Sequence, residues 1–269
     1  MIIHNFDPIL IDLGVLQIRW YSIAYILGIV IGWIYAIKII KISSKNKFNF
    51  EPIKKSDFDD LIIYLVLGIV FGGRIGYIFF YNFEYYSENI LEIFKLWQGG
   101  MSFHGGLLGV IISIIIYVKK NNNNFFKFAD IISCVAPIGI FFGRIANFIN
   151  GELYGKVTNL PWSVIFKDGG NVARHPSQIY EAILEGLLLF ILINYLAFQK
   201  KLLFRTGYIS AIFLILYSVI RIFSEIFREP DVHIGYLFNY FSMGSLLSYI
   251  TLFVGLIIIM FIKKNEKYN

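Results

Sequence analysis

Gly143-Arg-Ile-Ala-Asn-Phe-Ile-Asn-Gly-Glu-Leu-Tyr-Gly155 sets one charge and several amides at the end of an apolar run. The preceding stretch, Ala129 to Phe142, is almost wholly apolar. Continued to Ile149 it gives about 20 residues, the length that crosses a bilayer at roughly 1.5 Å per residue. Arg144 is therefore read as lying inside a membrane, where an arginine costs about 2.5–3.5 kcal/mol on insertion scales. Two readings stand at this point: Arg144 marks a site, or its side chain snorkels to the headgroups.

The rest of the chain agrees with a membrane fold. It has 269 residues, 57% hydrophobic and only 16% charged, with a mean hydropathy of +0.67, whereas soluble domains carry about 25% charged residues. Hydropathy predicts an all-α, polytopic protein with about seven transmembrane helices: Trp20–Ile40, Asp60–Tyr81, Gly105–Val118, Ala129–Ile149, Tyr180–Phe198, Gly207–Phe227 and Ser242–Ile262. The third is short and needs Gly99 to His104 to dip into the membrane, or a thin bilayer, to reach full depth. Residues 1–269 read as one transmembrane domain, with Asn150 to Ser177 (150–177) as a small loop-rich external cap punctuated by Gly and Pro. Met1 to Leu16 lacks a basic head and holds Asp7 and Asp12, so no cleavable signal peptide is read there.

Charge sets the expected orientation. Lys41–Lys55, Lys119–Lys127, Lys200–Arg205 and Lys263–Lys267 together hold 14 Lys and Arg, against 6 on the opposite side (Arg19, Lys95, Lys156, Lys167, Arg174, Arg228). The positive-inside rule then puts the N-terminus outside and the C-terminus in the cytoplasm. The net charge of +6 follows from this asymmetry, and the absence of an aromatic-interleaved basic patch argues against nucleic acid as a partner. Cys134, alone in its span, cannot form an internal disulfide and reads as a buried small hydrophobe. The four histidines show no metal-ligand spacing, and no metal or cofactor is expected.

This topology sets most of the unusual polar residues at one depth: Tyr21, Arg74, His104, Arg144, Asn147, Glu181, Arg221 and Glu225. Charges within spans usually face one another or a watered cavity, so a polar chamber toward the outer leaflet is expected. Tyr217, Arg221, Glu225 and Arg228 fall at i, i+4, i+8 and i+11, one face of the sixth helix, and Arg221 with Glu225 can form an ion pair of either functional or structural kind. Gly68, Gly72 and Gly76 recur every fourth residue, a sign of close helix packing. Arg74 lies off that row and reads as a structural partner for a carboxylate such as Glu181. His104 is either a general base or a satisfied structural histidine, while His175, beside Pro176, shapes the start of the fifth helix. Two arginines at headgroup depth suit a phosphate, because a guanidinium offers forked donors and keeps its charge, so a phospholipid is the economical ligand.

Five stretches carry a resemblance: Gly143–Gly155, Gly99-Gly-Met-Ser-Phe-His104-Gly-Gly-Leu, Gly72-Gly-Arg-Ile-Gly76, Arg174-His-Pro-Ser-Gln-Ile-Tyr-Glu181 and Phe227-Arg-Glu-Pro-Asp231. In this order they resemble the bacterial prolipoprotein diacylglyceryl transferase family over nearly the whole chain. The resemblance implies transfer of the diacylglyceryl group of phosphatidylglycerol to the thiol of a lipobox cysteine in a preprolipoprotein, with a thioether formed and glycerol phosphate released. It implies the bacterial inner membrane as location, and phosphatidylglycerol, the preprolipoprotein segment and membrane lipids as partners. It also implies His104 as the group that takes the thiol proton, and Arg144 and Arg221 as headgroup and leaving-group ligands. Asn147, Glu152 and Gly155 would shape the pocket, Tyr217 and Tyr21 would line it, and Glu225 would orient Arg221. One departure stands out: the family commonly opens its first span with His-Trp-Tyr, and here the triplet is Arg19-Trp20-Tyr21. The loop after Tyr154 is also short for the family. The rival reading from another class is a phospholipid or anion transporter holding phosphate without bond chemistry.

Overall fold

The computed structural model describes residues 2–14, 17–45, 53–95, 100–230, 235–237 and 240–266, apart from the side chains of Tyr81, Phe103, His104 and Glu266. Gly99 and Asp231, which begin and end two of the motifs above, lie outside the described residues. Nearly all regular structure is helical. Five stretches are long and apolar enough to cross a membrane: Trp20–Ser44, Lys55–Phe80, Phe125–Asn150, Ser177–Phe198 and Met243–Asn265. Two shorter helices, Phe103–Asn121 and Tyr208–Ser224, complete the apolar set. The chain is a multi-pass, all-α membrane protein, and each expected span coincides with a helix.

The packing divides the chain into two compact units, Ile40–Ala129 and the combined segments Met1–Ile39 and Asp130–Asn269. In the first unit α2 (Lys55–Tyr81) lies antiparallel against α4 (Phe103–Asn121), with α3 (Phe83–Glu88) and a short 3-10 turn (Ile90–Phe94) between them in sequence. The glycine row decides this contact: a Cβ on Gly76 would stand 2.6 Å from the Cα of Gly105, and one on Gly72 would stand 2.9 Å from the Cα of Gly109. No side chain fits, so the backbones touch and dispersion replaces the hydrophobic effect that lipid does not provide. The third expected span, Gly105–Val118, lies inside a longer helix. Ser102 caps α4 by accepting from the Gly105 N–H at 3.2 Å, and the helix runs on through Lys119 and Lys120 to a left-handed Asn122. At 1.5 Å per residue its 19 residues reach about 28 Å, Phe103 and His104 of the preceding segment forming its first turn.

The second unit holds α1 (Trp20–Ser44) up to Ile39, α5 (Phe125–Asn150) from Asp130, a composite helix, α8 (Tyr208–Ser224) and α9 (Met243–Glu266). The composite helix is α6 (Ser177–Glu181), a π-helical stretch (Ala182–Leu188) and α7 (Leu189–Phe198). Buried polar groups tie these helices together. Asn194 on α7 donates to the Cys134 carbonyl of α5 at 3.1 Å and accepts from Tyr35 of α1 at 3.0 Å. Cys134 itself is fully buried. Asp130, 1% exposed, accepts from the N–H groups of Gly207 at 2.6 Å and Ser210 at 2.8 Å, so α5 supplies the anion that caps the first turn of α8.

Residues 150–177 pair with the N-terminal segment. Strand β1 (Ile2–Ile3) runs parallel to β4 (Val164–Ile165), which pairs antiparallel with β5 (Ala173–Arg174). A second ladder, β2 (Ile9–Asp12) with β3 (Gln17–Arg19), leads directly into α1. His4 secures the N-terminal strand by a 2.6 Å hydrogen bond with the Phe148 carbonyl and by packing on Phe166. These strands are too short to show a period in sequence, which is why the N-terminal contribution was not expected.

The capping geometry predicts that Asp130→Ala lowers the stability of the detergent-purified protein by about 1–3 kcal/mol, because two buried N–H groups lose their acceptor. Thermal unfolding of the variant against the wild type measures this.

Candidate functional site

Where α5 ends, α6 begins and α8 ends, three arginines and three glutamates form one network, and its origin lies in helical spacing. Glu181 and Glu185 are four residues apart and face the same way from α6 and the π stretch; Arg221 and Glu225 repeat that spacing at the end of α8. Glu181 and Glu185 are both wholly buried. Such carboxylates survive in an apolar interior only when paired, and each of them bridges the same two arginines.

Glu181 Oε2 lies 2.9 Å from Arg144 Nη1, and its Oε1 lies 2.7 Å from Arg221 Nη1 and 3.2 Å from Arg228 Nη1. Glu185 Oε2 accepts from Arg144 Nη2 at 2.9 Å and Nε at 3.3 Å, while its Oε1 accepts from Arg221 Nη1 at 3.1 Å. Arg221 Nη2 donates to Glu225 Oε1, and Glu225 Oε2 accepts from Ser242 Oγ at 2.6 Å. Gly244, at the start of α9, makes room for this pair: a Cβ there would stand 2.9 Å from Glu225 Cδ and 3.1 Å from Arg221 Nη2. Positive and negative groups alternate and are equal in number. Arg144 is the most open of the six, with 15% of its side chain exposed, and among the described residues three of its five N–H donors are engaged.

A second cluster adjoins the end of α5. Asn147 donates to the Tyr21 hydroxyl and, at 2.8 Å, to Glu152 Oε1, and Tyr21 donates to the same carboxylate oxygen. The loop carrying Glu152 is held through its backbone: Gln178 donates to the Glu152 carbonyl at 2.6 Å and Ser177 to the Leu153 carbonyl at 3.0 Å. Gly155 is needed for close approach, since a Cβ would stand 2.6 Å from both His175 Cβ and the Phe227 carbonyl. Its N–H donates to the His175 carbonyl at 2.9 Å, and Arg174 cross-links this corner to Gly155, Gly169 and Glu229.

The expected residues thus fall into place unevenly. Arg144, Arg221 and Glu225 share the ion network, and Tyr21, Asn147 and Glu152 share the second cluster. Tyr217 is buried one turn before Arg221, its ring stacked on Phe213 at 6.0 Å. Gly155 acts through the backbone. His104 lies in the first turn of α4, in the other unit, and its side chain lies outside the described residues. Within its own unit Arg74 donates to the carbonyls of Glu92 at 2.7 Å and Ile93 at 2.9 Å, holding the loop before α4. His175 packs on Tyr180 and Phe227, and burial, with the nearby Lys156 charge, holds its pKa below the usual histidine value. Glu185 was missed, although a carboxylate four residues beyond Glu181 inside an apolar span is a legible signal. Among the described residues no group of three or more His, Cys, Asp or Glu could hold a metal ion.

The family model for prolipoprotein diacylglyceryl transferase matches residues 8–261. The chain is 48% identical over 259 residues to a phosphatidylglycerol-prolipoprotein diacylglyceryl transferase of Rickettsia bellii, covering 96% of each chain. It is 47% identical over 257 residues to the enzyme of the same name from Ehrlichia ruminantium (95% of this chain and 96% of the relative), and 45% identical over 251 residues to that of Rhizobium meliloti (93% and 90%). The chain belongs to the prolipoprotein diacylglyceryl transferase family.

Glu181→Ala is expected to be among the most damaging single changes here. It leaves three buried arginines short of a counter-charge, a loss of about 3–5 kcal/mol, whereas Glu152→Ala breaks a cluster of neutral partners and should cost about 1–3 kcal/mol. Thermal unfolding of both purified variants gives the ranking.

Proposed function

We propose that this transferase moves the diacylglyceryl group of phosphatidylglycerol to the thiol of a lipobox cysteine in a preprolipoprotein. The observation that carries the reading is the buried network in which Arg144 and Arg221 are set side by side by shared carboxylates, with Arg144 its most open member. The thiolate attacks the glyceryl carbon bound to the phosphate oxygen; an S–C bond forms, the C–O bond breaks, and glycerol phosphate leaves with the bonding electrons. Charge builds on the departing phosphate. Arg144 and Arg221 meet it with charge-assisted donors already oriented by Glu181, Glu185 and Glu225, so little reorganisation is needed as the bond breaks.

His104 takes the thiol proton, because a free thiol near pH 8.5 in pKa is only a few per cent thiolate at neutrality. Tyr21, Asn147 and Glu152 shape the neighbouring part of the pocket, Gly155 fixes its backbone wall, and Tyr217 lines it beside Arg221. An apolar cleft of about 140 Å³, lined by Pro137, Ile138, Phe141, Gly186, Leu187 and Phe190, begins one helical turn from Arg144 and suits an acyl chain. In this reading the enzyme works in the bacterial inner membrane through seven spans, and the basic-residue asymmetry supports an outside N-terminus and a cytoplasmic C-terminus. A C-terminal alkaline phosphatase fusion should accordingly be inactive, and an active one would reverse the topology.

Purified protein incubated with phosphatidylglycerol and a lipobox peptide should add a diacylglyceryl thioether to the peptide cysteine, read by mass; no adduct under turnover conditions would sink the reading. Arg144→Lys, which keeps the charge but not the fork, should lose most of this activity, and Arg221→Ala should do the same. His104→Gln should lower turnover by about 10²–10⁴, partly recovered at pH 9 as the thiol ionises unaided. A deficit equally deep at pH 7 and pH 9 would assign His104 a structural role.

A further inference from the structure

Resting on the transferase reading, we propose that Glu185 is the counter-ion that a phosphate ester displaces from Arg144 and Arg221, so that lipid binding and product release are exchanges of carboxylate for phosphate. The three glutamates of the network are held very differently. Glu181 is fastened to three arginines, with contacts of 2.9, 2.7 and 3.2 Å. Glu225 is fastened to Arg221 and to Ser242 and is enclosed by Gly244. Glu185 accepts three hydrogen bonds at 2.9–3.3 Å, all of them from Arg144 and Arg221. It can be released without undoing the pairs that hold the other two.

Its position makes the same point. The two oxygens of Glu185 straddle the two guanidinium groups, one oxygen on each, which is the geometry two oxygens of a bridging phosphate adopt on a pair of arginines. The network is balanced with three cations and three anions. An arriving phosphate therefore brings surplus negative charge into a site of low dielectric, and the repulsion falls on Glu185, whose hydrogen bonds among the described residues go to the same two arginines the phosphate would meet. Glu185 also lies in the π-helical stretch Ala182–Leu188, a wide turn of the kind found at functional sites, where backbone hydrogen bonds have alternative partners. Glu185 is thus a positioning residue: it holds both arginines at phosphate spacing and yields them when phosphate comes.

The test measures binding of glycerol phosphate in one arm and of dioctanoylphosphatidylglycerol in the other, on wild type and Glu185→Gln in detergent. Removing the competing charge should tighten both ligands by about tenfold or more and should lower KM and kcat together, because product leaves more slowly. A merely structural role would weaken both ligands and raise KM. Unchanged or weaker binding by Glu185→Gln overturns the proposal, and it does so independently of the transferase reading, which stands or falls on thioether formation by the wild type. In the wild-type protein labelled with ¹³C-glutamate, adding glycerol phosphate should shift a carboxylate infrared band as one pair of arginine contacts is lost. Carboxylate bands that stay fixed while the ligand binds would overturn the proposal without any variant.

Discussion

A guanidinium cannot shed its charge, so an arginine buried among membrane helices must be matched where it sits. Here two are buried beside a third that is partly open, and much of the surrounding sequence answers to them. Glu181 and Glu185 sit one turn apart so that a single helix can address two arginines on two other helices. Ser242 donates to the second oxygen of Glu225, and Gly244 clears the space beside it. Shared carboxylates also offset the repulsion between Arg144 and Arg221, which would otherwise drive two like charges apart.

The same constraint separates the roles of the two polar clusters. The ion network is charged, closely held and largely closed, with Arg144 at its open edge. The Tyr21–Asn147–Glu152 cluster carries a single charge and is tied to a loop whose path is set by backbone hydrogen bonds and by the close approach at Gly155. In the proposed reaction the first presents fixed charge to an anion, and the second defines a surface beside it. The cap strands, including the N-terminal one, hold the end of α5 and so hold Asn147 and Glu152 at their places.

Much of the helical fold was legible because apolar runs of membrane-crossing length leave few alternatives, and the i, i+4 spacing of Arg221 and Glu225 on α8 gave their ion pair directly. The glycine row of α2 announced a backbone contact, which α4 provides. What stayed hidden was long-range or too short to have a period. No local pattern tells that Ile2–Ile3 pairs with residues 164–165, or that Asp130 caps a helix 77 positions away. Nor does any local pattern tell that Arg74 donates to the backbone carbonyls of Glu92 and Ile93. Glu185 was overlooked because an apolar span draws attention to its length and not to a single carboxylate within it.

The central claim is that Arg144 and Arg221 hold the phosphate of the lipid. Solid-state NMR on the reconstituted protein, with ¹⁵N in the arginine side chains and natural ³¹P in bound phosphatidylglycerol, reads that contact directly. Dipolar dephasing between the lipid phosphorus and guanidinium nitrogens should appear, and should be lost for the Arg144 resonances in Arg144→Lys. A bound lipid whose phosphorus shows no coupling to any arginine, or the same coupling after that substitution, would contradict the account.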